Sequence, residues 1–185
     1  MAEFDEVGAA LRRRGSSRHL LGLYNSAAYN CIKRGRPEAA RRALEPAVPI
    51  VRSLGDQRAA IFLAGNIGLE ALFSGDHERA RVAFEEQVRL CAGQEEEALA
   101  AEGLGGLAAV AAVEGDLERA ARLLGAAEAI GPVGDADVIE RLEQDFLAAA
   151  RERLADAEWS SAYAAGAALG LSKAADLAAA GSGRR

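Results

Sequence analysis

The chain repeats itself every forty residues, at points where the local chemistry calls for a turn between two helices. Gly75-Asp76-His77-Glu78-Arg79-Ala80 recurs as Gly115-Asp116-Leu117-Glu118-Arg119-Ala120. Forty residues earlier stands Gly35-Arg36-Pro37-Glu38-Ala39-Ala40, and forty later a degraded copy, Ala155-Asp156-Ala157-Glu158-Trp159-Ser160. Self-similarity at a fixed period of this size predicts stacked supersecondary units that share one core. Within each junction, Gly ends the first helix where a left-handed residue is needed and a Cβ would clash. Asp76 and Asp116 then cap the next helix, with Glu78 and Glu118 favourable in its first turn. Pro37 takes an early-helix position, where a missing N–H costs nothing. Ala40, Ala80 and Ala120 are expected where two antiparallel helices cross closely.

Between junctions the spacing of apolar residues is helical. The second unit runs Ile61, Ala64, Ile67, Gly68, Ala71, then Ala80 and Phe84; the third runs Leu104, Leu107, Ala108, Ala111, then Ala120 and Leu124. These intervals predict one apolar stripe per helix. First helices are expected near 17–34, 57–74, 97–114 and 137–154. Shorter second helices are expected near 37–53, 77–92, 117–130 and 157–168. Composition agrees: about a quarter of the 185 residues are Ala, the best helix former, and only 5% are aromatic. The chain thus reads as a single all-α domain of four hairpins, spanning about 17–54, 57–94, 97–134 and 137–170. A short helix at about 172–180 would cap the stack. The ends, MAEF and GSGRR, are expected to be loose.

The junctions resemble the tetratricopeptide repeat. Its small residue at position 8, Gly-Asp turn, Ala at 20 and bulky apolar residue at 24 match Gly68, Gly75-Asp76, Ala80 and Phe84. In the third unit they match Ala108, Gly115-Asp116, Ala120 and Leu124; in the first, Ala28, Gly35, Ala40 and Leu44. The period is 40 rather than 34, the extra residues falling around Ser53-Leu54-Gly55, Ala92-Gly93-Gln94 and 131–135. The resemblance implies a right-handed superhelix of helical hairpins. A narrower likeness covers the last 70 residues. The run from Gly115 through Ala129 is similar to a segment near the end of large bacterial LuxR-like and antibiotic-regulatory ATPase regulators. In those proteins the repeat region is held to sense an inducer or partner, so the likeness implies a sensor or scaffold role in transcription regulation.

Few residues point to catalysis. His19 and His77 have no carboxylate or Cys at ligand spacing, and His77-Glu78 lacks a second His four residues on. No Gly-rich loop ends in Gly-Lys-Ser/Thr. Gly103, Gly105 and Gly106 lie in an Ala/Leu helix with no strand before it, so they read as close helix contacts or room beside a helix. Cys31 and Cys91 suit small helix positions in a reduced, cytoplasmic setting. No catalytic residue, metal or cofactor is expected. There is no apolar run of about 18 residues, which argues against a membrane span. MAEFDEVGAA is acidic and without an apolar stretch, which predicts no secretory signal.

What remains is surface. Residues 1–60 carry a net charge of +5 within a chain of −6. Arg12, Arg13, Arg14, Arg34, Arg36, Arg41 and Arg42 read as solvated faces, and with only Tyr24 and Tyr29 nearby a nucleic-acid surface is disfavoured. By the tetratricopeptide register, the concave groove takes Gly22, Asn25, Ser26, Tyr29, Ile32 and Lys33 from the first unit. The second supplies Phe62, Gly65, Asn66, Leu69, Leu72 and Phe73, and the third Glu102, Gly105, Gly106, Ala109, Ala112 and Val113. The apolar row Phe62, Leu69, Leu72 and Phe73 holds two of the five Phe residues. It marks a binding face, a homodimer face or core. The Lys/Arg clamp of chaperone-tail receptors is not matched, since Asn25, Tyr29, Glu102 and Gly106 occupy its positions beside Asn66. The candidate groove is therefore Asn25, Tyr29, Phe62, Asn66, Leu69, Leu72, Phe73 and Val113. The function expected is non-enzymatic binding of a protein partner or apolar small effector. The alternatives are a self-associating homodimeric scaffold or, less favoured, a nucleic-acid-binding module.

Overall fold

The computed structural model describes residues 17–94, 96–132 and 134–180; Arg12, Arg13, Arg14 and both chain ends lie outside them. Among the described residues the fold is all-helical, with no strand. Helices α1 (Ser17–Lys33), α4 (Gln57–Phe73) and α6 (Glu97–Glu114) are the first members of three hairpins. Their partners are α2 (Pro37–Leu44) with α3 (Ala47–Leu54), then α5 (His77–Ala92), then α7 (Leu117–Ile130). Next come α8 (Ala136–Leu142), a π-helical turn (Glu143–Leu147), α9 (Ala148–Arg153), α10 (Asp156–Ala167) and α11 (Leu171–Ala179). Each first helix packs on its own partner, and α1, α4 and α6 also pack on one another in chain order. Among the described residues, no helix is long and apolar enough to cross a membrane.

The three intact junctions have one geometry. Gly35, Gly75 and Gly115 have φ of 65°, 80° and 82°. Their amides bond to the carbonyls of Ile32, Leu72 and Ala112, and the following amides reach back to Cys31, Ala71 and Ala111. This pair of bonds satisfies carbonyls that the helix end leaves open. Asp76 and Asp116 accept from the amides of Arg79 and Arg119 at 3.3 Å, closing the start of the next helix. The fourth junction has no glycine. There Leu154 and Ala155 are extended, and α10 starts without a side-chain cap.

Small residues let the layers close. Ala40, Ala80 and Ala120 are fully buried. The Phe84 ring lies against both Gly68 and Gly106, where any Cβ would collide with it. Between α7 and α10 the backbones themselves meet: a Cβ on Gly125 would strike the Tyr163 carbonyl, and one on Gly166 the Arg122 carbonyl. One carboxylate joins the first two hairpins. Glu70, fully buried, accepts from Arg41 Nε at 2.9 Å, Arg79 Nη1 at 2.6 Å and Ser74 Oγ at 3.0 Å.

The structure departs from the simple expectation in four places. The second helix of the first hairpin divides at Glu45-Pro46, because Pro46 has no N–H to continue the ladder and its ring crowds the preceding turn. The helix expected at 137–154 is interrupted by the π turn, which sets Phe146 against Phe73 with ring centroids 5.9 Å apart. Helix α11 packs chiefly on α5, α7 and α6 instead of ending the stack, burying Ala174 and Ala178. It is pinned there by Arg119, whose Nη2 donates to the Ala178 carbonyl at 2.8 Å. Finally, α4 and α6 bury far more than one stripe. Ten residues of α4 are buried, Leu63, Asn66, Leu69, Glu70 and Leu72 among them, because neighbours pack on several of its sides.

Candidate functional site

A cavity of about 430 Å³ opens where the three first helices face the loop before α8. Helix α1 contributes Asn25, Ser26 and Tyr29; α4 contributes Phe62 and Asn66; α6 contributes Leu99 and Glu102. The loop closes one side with Pro132, Gly134 and Asp135. The register of each helix explains which residues arrive. Residues 25 and 29, 62 and 66 are four apart, so each pair lies on one face. Asn66 is buried, with its Nδ2 3.5 Å from both the backbone and the side-chain oxygen of Asn25. Phe62 is 42% exposed and offers its ring to the opening.

Burial and charge act unequally on the ionisable groups here. Asp135 caps α8 through the Val138 amide at 3.2 Å and accepts from Lys33 Nζ at 2.8 Å. Burial by itself would raise its pKa, but the bonds from Lys33, Val138 and Tyr29 hold the carboxyl below the usual range. Lys33 also reaches Asp137 at 2.7 Å, and these two bonds raise its own pKa. Tyr29, hydrogen-bonded to Asp135, is pushed up to about 12 by burial and then by the charges of Glu102 and Asp135.

Glu102 stands apart. Its Oε1 accepts from Gln87 Nε2 at 3.1 Å, and it has no ion pair among the described residues. Burial raises its pKa and the Asp135 charge adds to that, against the opposing bond from Gln87. Room for this pair comes from glycine: a Cβ on Gly65 would sit 2.6 Å from Glu102 Oε1 and press on the Gln87 amide. A Cβ on Gly134 would lie 3.8 Å from Glu102 Oε2, so that oxygen faces the loop side of the cavity. The buried Gln87 Oε1 has no hydrogen-bond partner among the described residues. The same burial pushes the Cys91 thiol up to about 12, with Glu96 and Glu102 contributing.

Of the groove residues expected from sequence, Asn25, Tyr29, Phe62 and Asn66 come together on this cavity. Leu69 and Leu72 do not: both are buried in the core, along with Ile32, Ala109 and Ala112. These positions lie in the C-terminal halves of the first helices, which α8 and the π turn approach. Arg141 donates from Nη1 to the Ile32 carbonyl at 2.6 Å and lies over the Phe73 ring at 3.7 Å. Phe73 is thus half-buried between Arg141 and Phe146 and is not an open groove residue. Val113 is 41% exposed but lies off the cavity. Sequence reasoning missed Asp135. It sits among the residues read only as a longer connection, and its cue was an Asp placed as an N-cap before Val138.

A second cavity of about 320 Å³ between α7 and α8 is walled by Leu124, Ile139, Leu142 and Leu147. The inner cavity is the better candidate, since it joins side chains from three hairpins and includes strained ionisable groups. No protein-family model, curated protein or solved structure matches the chain.

Proposed function

We propose that this chain is a non-enzymatic binding domain of the tetratricopeptide-like kind. In this reading its four 40-residue hairpins form a right-handed superhelix, and its inner cavity takes a small effector or a side chain of a protein partner. One observation carries the reading. Asn25, Tyr29, Phe62, Asn66 and Glu102, up to 77 residues apart in the chain and all on predicted groove positions, line one cavity of about 430 Å³. That volume is in the range of ligand sites, and the wall mixes aromatic faces with a few convergent polar groups. The likeness of residues 115–129 to the repeat region of LuxR-like ATPase regulators supports a sensor or scaffold role in bacterial transcription regulation, in the cytoplasm. Occupancy would act through Pro132, Gly134 and Asp135. These residues line the cavity, and Asp135 is tied by Lys33 to the first hairpin, so a ligand there bears on the contact between first and fourth units.

A fragment screen read by amide NMR shifts tests the proposal. Hits are expected to move the amides around Tyr29, Phe62, Asn66 and Glu102. Phe62→Asp should abolish them while leaving the helical circular dichroism unchanged, because the ring is 42% exposed. Hits confined to the α7–α8 cavity, or unaffected by Phe62→Asp, would overturn it. If Phe62→Asp instead converts a dimer to a monomer in light scattering, the cavity mouth is a self-association face.

A further inference from the structure

Resting on the reading of the inner cavity as a binding site, we propose that its ligand group is an organic cation. The group would be a protonated amine carried on an apolar body, seated between Glu102 and the rings of Tyr29 and Phe62.

The argument starts from charge. Among the described residues, the cations beside the cavity are matched by carboxylates. Lys33 holds Asp135 and Asp137 at 2.8 and 2.7 Å, and Arg58 pairs with Glu96 at 3.5 Å while standing 6.0 Å from the Phe62 ring centroid. Glu102 receives only an amide N–H. The buried Gln87 Oε1 beside it has no hydrogen-bond partner among the described residues. A carboxylate half withdrawn from water without a cation bears part of the desolvation cost, and its pKa rises. A ligand cation would supply the missing charge. An anion would meet Glu102 and Asp135 together; a neutral ligand would leave Glu102 as it is.

The rest of the wall suits the same group. Tyr29 and Phe62 line the cavity, and an aromatic ring attracts a cation through its quadrupole. Asn25 and Asn66 offer amide oxygens that can accept from an ammonium. The room beyond a bare ammonium, about 430 Å³ in all, accommodates an attached ring or chain. A free small amine and a lysine side chain of a partner both supply such an ammonium; the chemistry recognised is the same.

The test compares three probes of one shape on the full chain: benzylamine, benzyl alcohol and benzoate, titrated by NMR at pH 7.5. Benzylammonium is expected to bind about tenfold more tightly than benzyl alcohol, as charge-assisted hydrogen bonds exceed neutral ones. Benzoate should be weakest. Glu102→Gln, nearly isosteric and able to keep the Gln87 bond, should bring benzylammonium to within about twofold of benzyl alcohol. Lowering the pH through the raised Glu102 pKa should weaken benzylammonium alone. The other charged or titratable groups facing Glu102 are Asp135, Tyr29 and, from α5, Cys91, with Glu96 beyond it. Asp135 lies below its usual range, and Tyr29 and Cys91 near 12, so none of these three titrates between pH 5 and 7.5. Short peptides with a central Lys or norleucine identify the source: a Lys peptide that outbinds benzylammonium points to a partner's side chain, and the reverse to a free amine. Equal binding of benzyl alcohol and benzylammonium at the cavity overturns the cation proposal and leaves the binding site standing. Absence of all three probes from the cavity, with fragments also absent, overturns both.

Discussion

Helix α4 carries the carboxylate of Glu70 into the core and α6 the half-buried carboxylate of Glu102 to the cavity wall, and the two are served in opposite ways. Glu70 meets two guanidiniums and a hydroxyl, all its oxygens engaged by neighbours from α2, α5 and its own helix end. Glu102 meets one amide and turns its second oxygen toward the cavity. The first arrangement is closed: Arg41 and Arg79 come from two different hairpins, so the carboxylate joins them. The second is open, and open charge inside a protein needs a reason. The contrast separates a polar group that holds the stack together from one that waits for something to complete it.

Removing the cations from Glu70 gives the largest effect this contrast predicts. With Arg41→Met and Arg79→Met together, a fully buried carboxylate keeps only Ser74, and such an uncompensated charge costs about 3–5 kcal/mol. Urea unfolding should show this as a fall in midpoint. Both arginines are partly exposed, so Glu70→Met, which leaves them free to turn to water, should cost clearly less. Equal losses from the two variants would mean that Glu70 is held by packing and not by charge.

How much of this was legible in the sequence follows from how local each feature is. The junctions were readable because Gly, Asp and Ala act within six residues, and Gly75, Asp76 and Ala80 adopt the predicted left-handed, capping and crossing roles. The split at Pro46 has an equally local cause, though it was read as continuous helix. The groove was half readable. Positions 25, 29, 62, 66 and 102 are set by helical register, but the partial burial of Phe73 depends on Arg141 and Phe146, some seventy residues away. Glu70 left a signal that went unread: a lone carboxylate in the run IFLAGNIGLEALF can only be solvated, or paired across the fold. Its partners lie 29 residues before and 9 after it, and no periodic pattern joins them.

The next effect sharpens the other half of the comparison. At an exposed helix position Gly→Ala stabilises by up to about 1 kcal/mol, and Gly22, with nothing within 4 Å of its Cβ site, should behave so. Gly65→Ala should do the reverse. Its methyl would enter the space of Glu102 Oε1 and the Gln87 amide, and overpacking of this kind costs about 1–3 kcal/mol. Thermal unfolding of the two variants side by side checks the sign. A stabilised Gly65→Ala would mean that the Glu102–Gln87 pair moves freely, and the open carboxylate would lose its fixed position.

The smallest effect is also the most specific, because it isolates the charge of Glu102. Burial raises its folded-state pKa above the unfolded value of about 4.3. Below both values the group is protonated in either state and contributes nothing. As pH rises between them, the unfolded chain releases its proton first, so the folded state loses stability across that window and stays penalised above it. Glu102→Gln carries no such penalty. The variant should match the parent chain in acid and become the more stable of the two toward pH 7, by less than the Gly65 effect, in urea titrations across pH 4–8. An ammonium probe in the cavity should erase the difference, since it favours the ionised form and so lifts the penalty in the parent chain alone. Were the parent chain instead the more stable at neutral pH without any probe, Glu102 would already have a cation in the fold, and the two carboxylates would be alike.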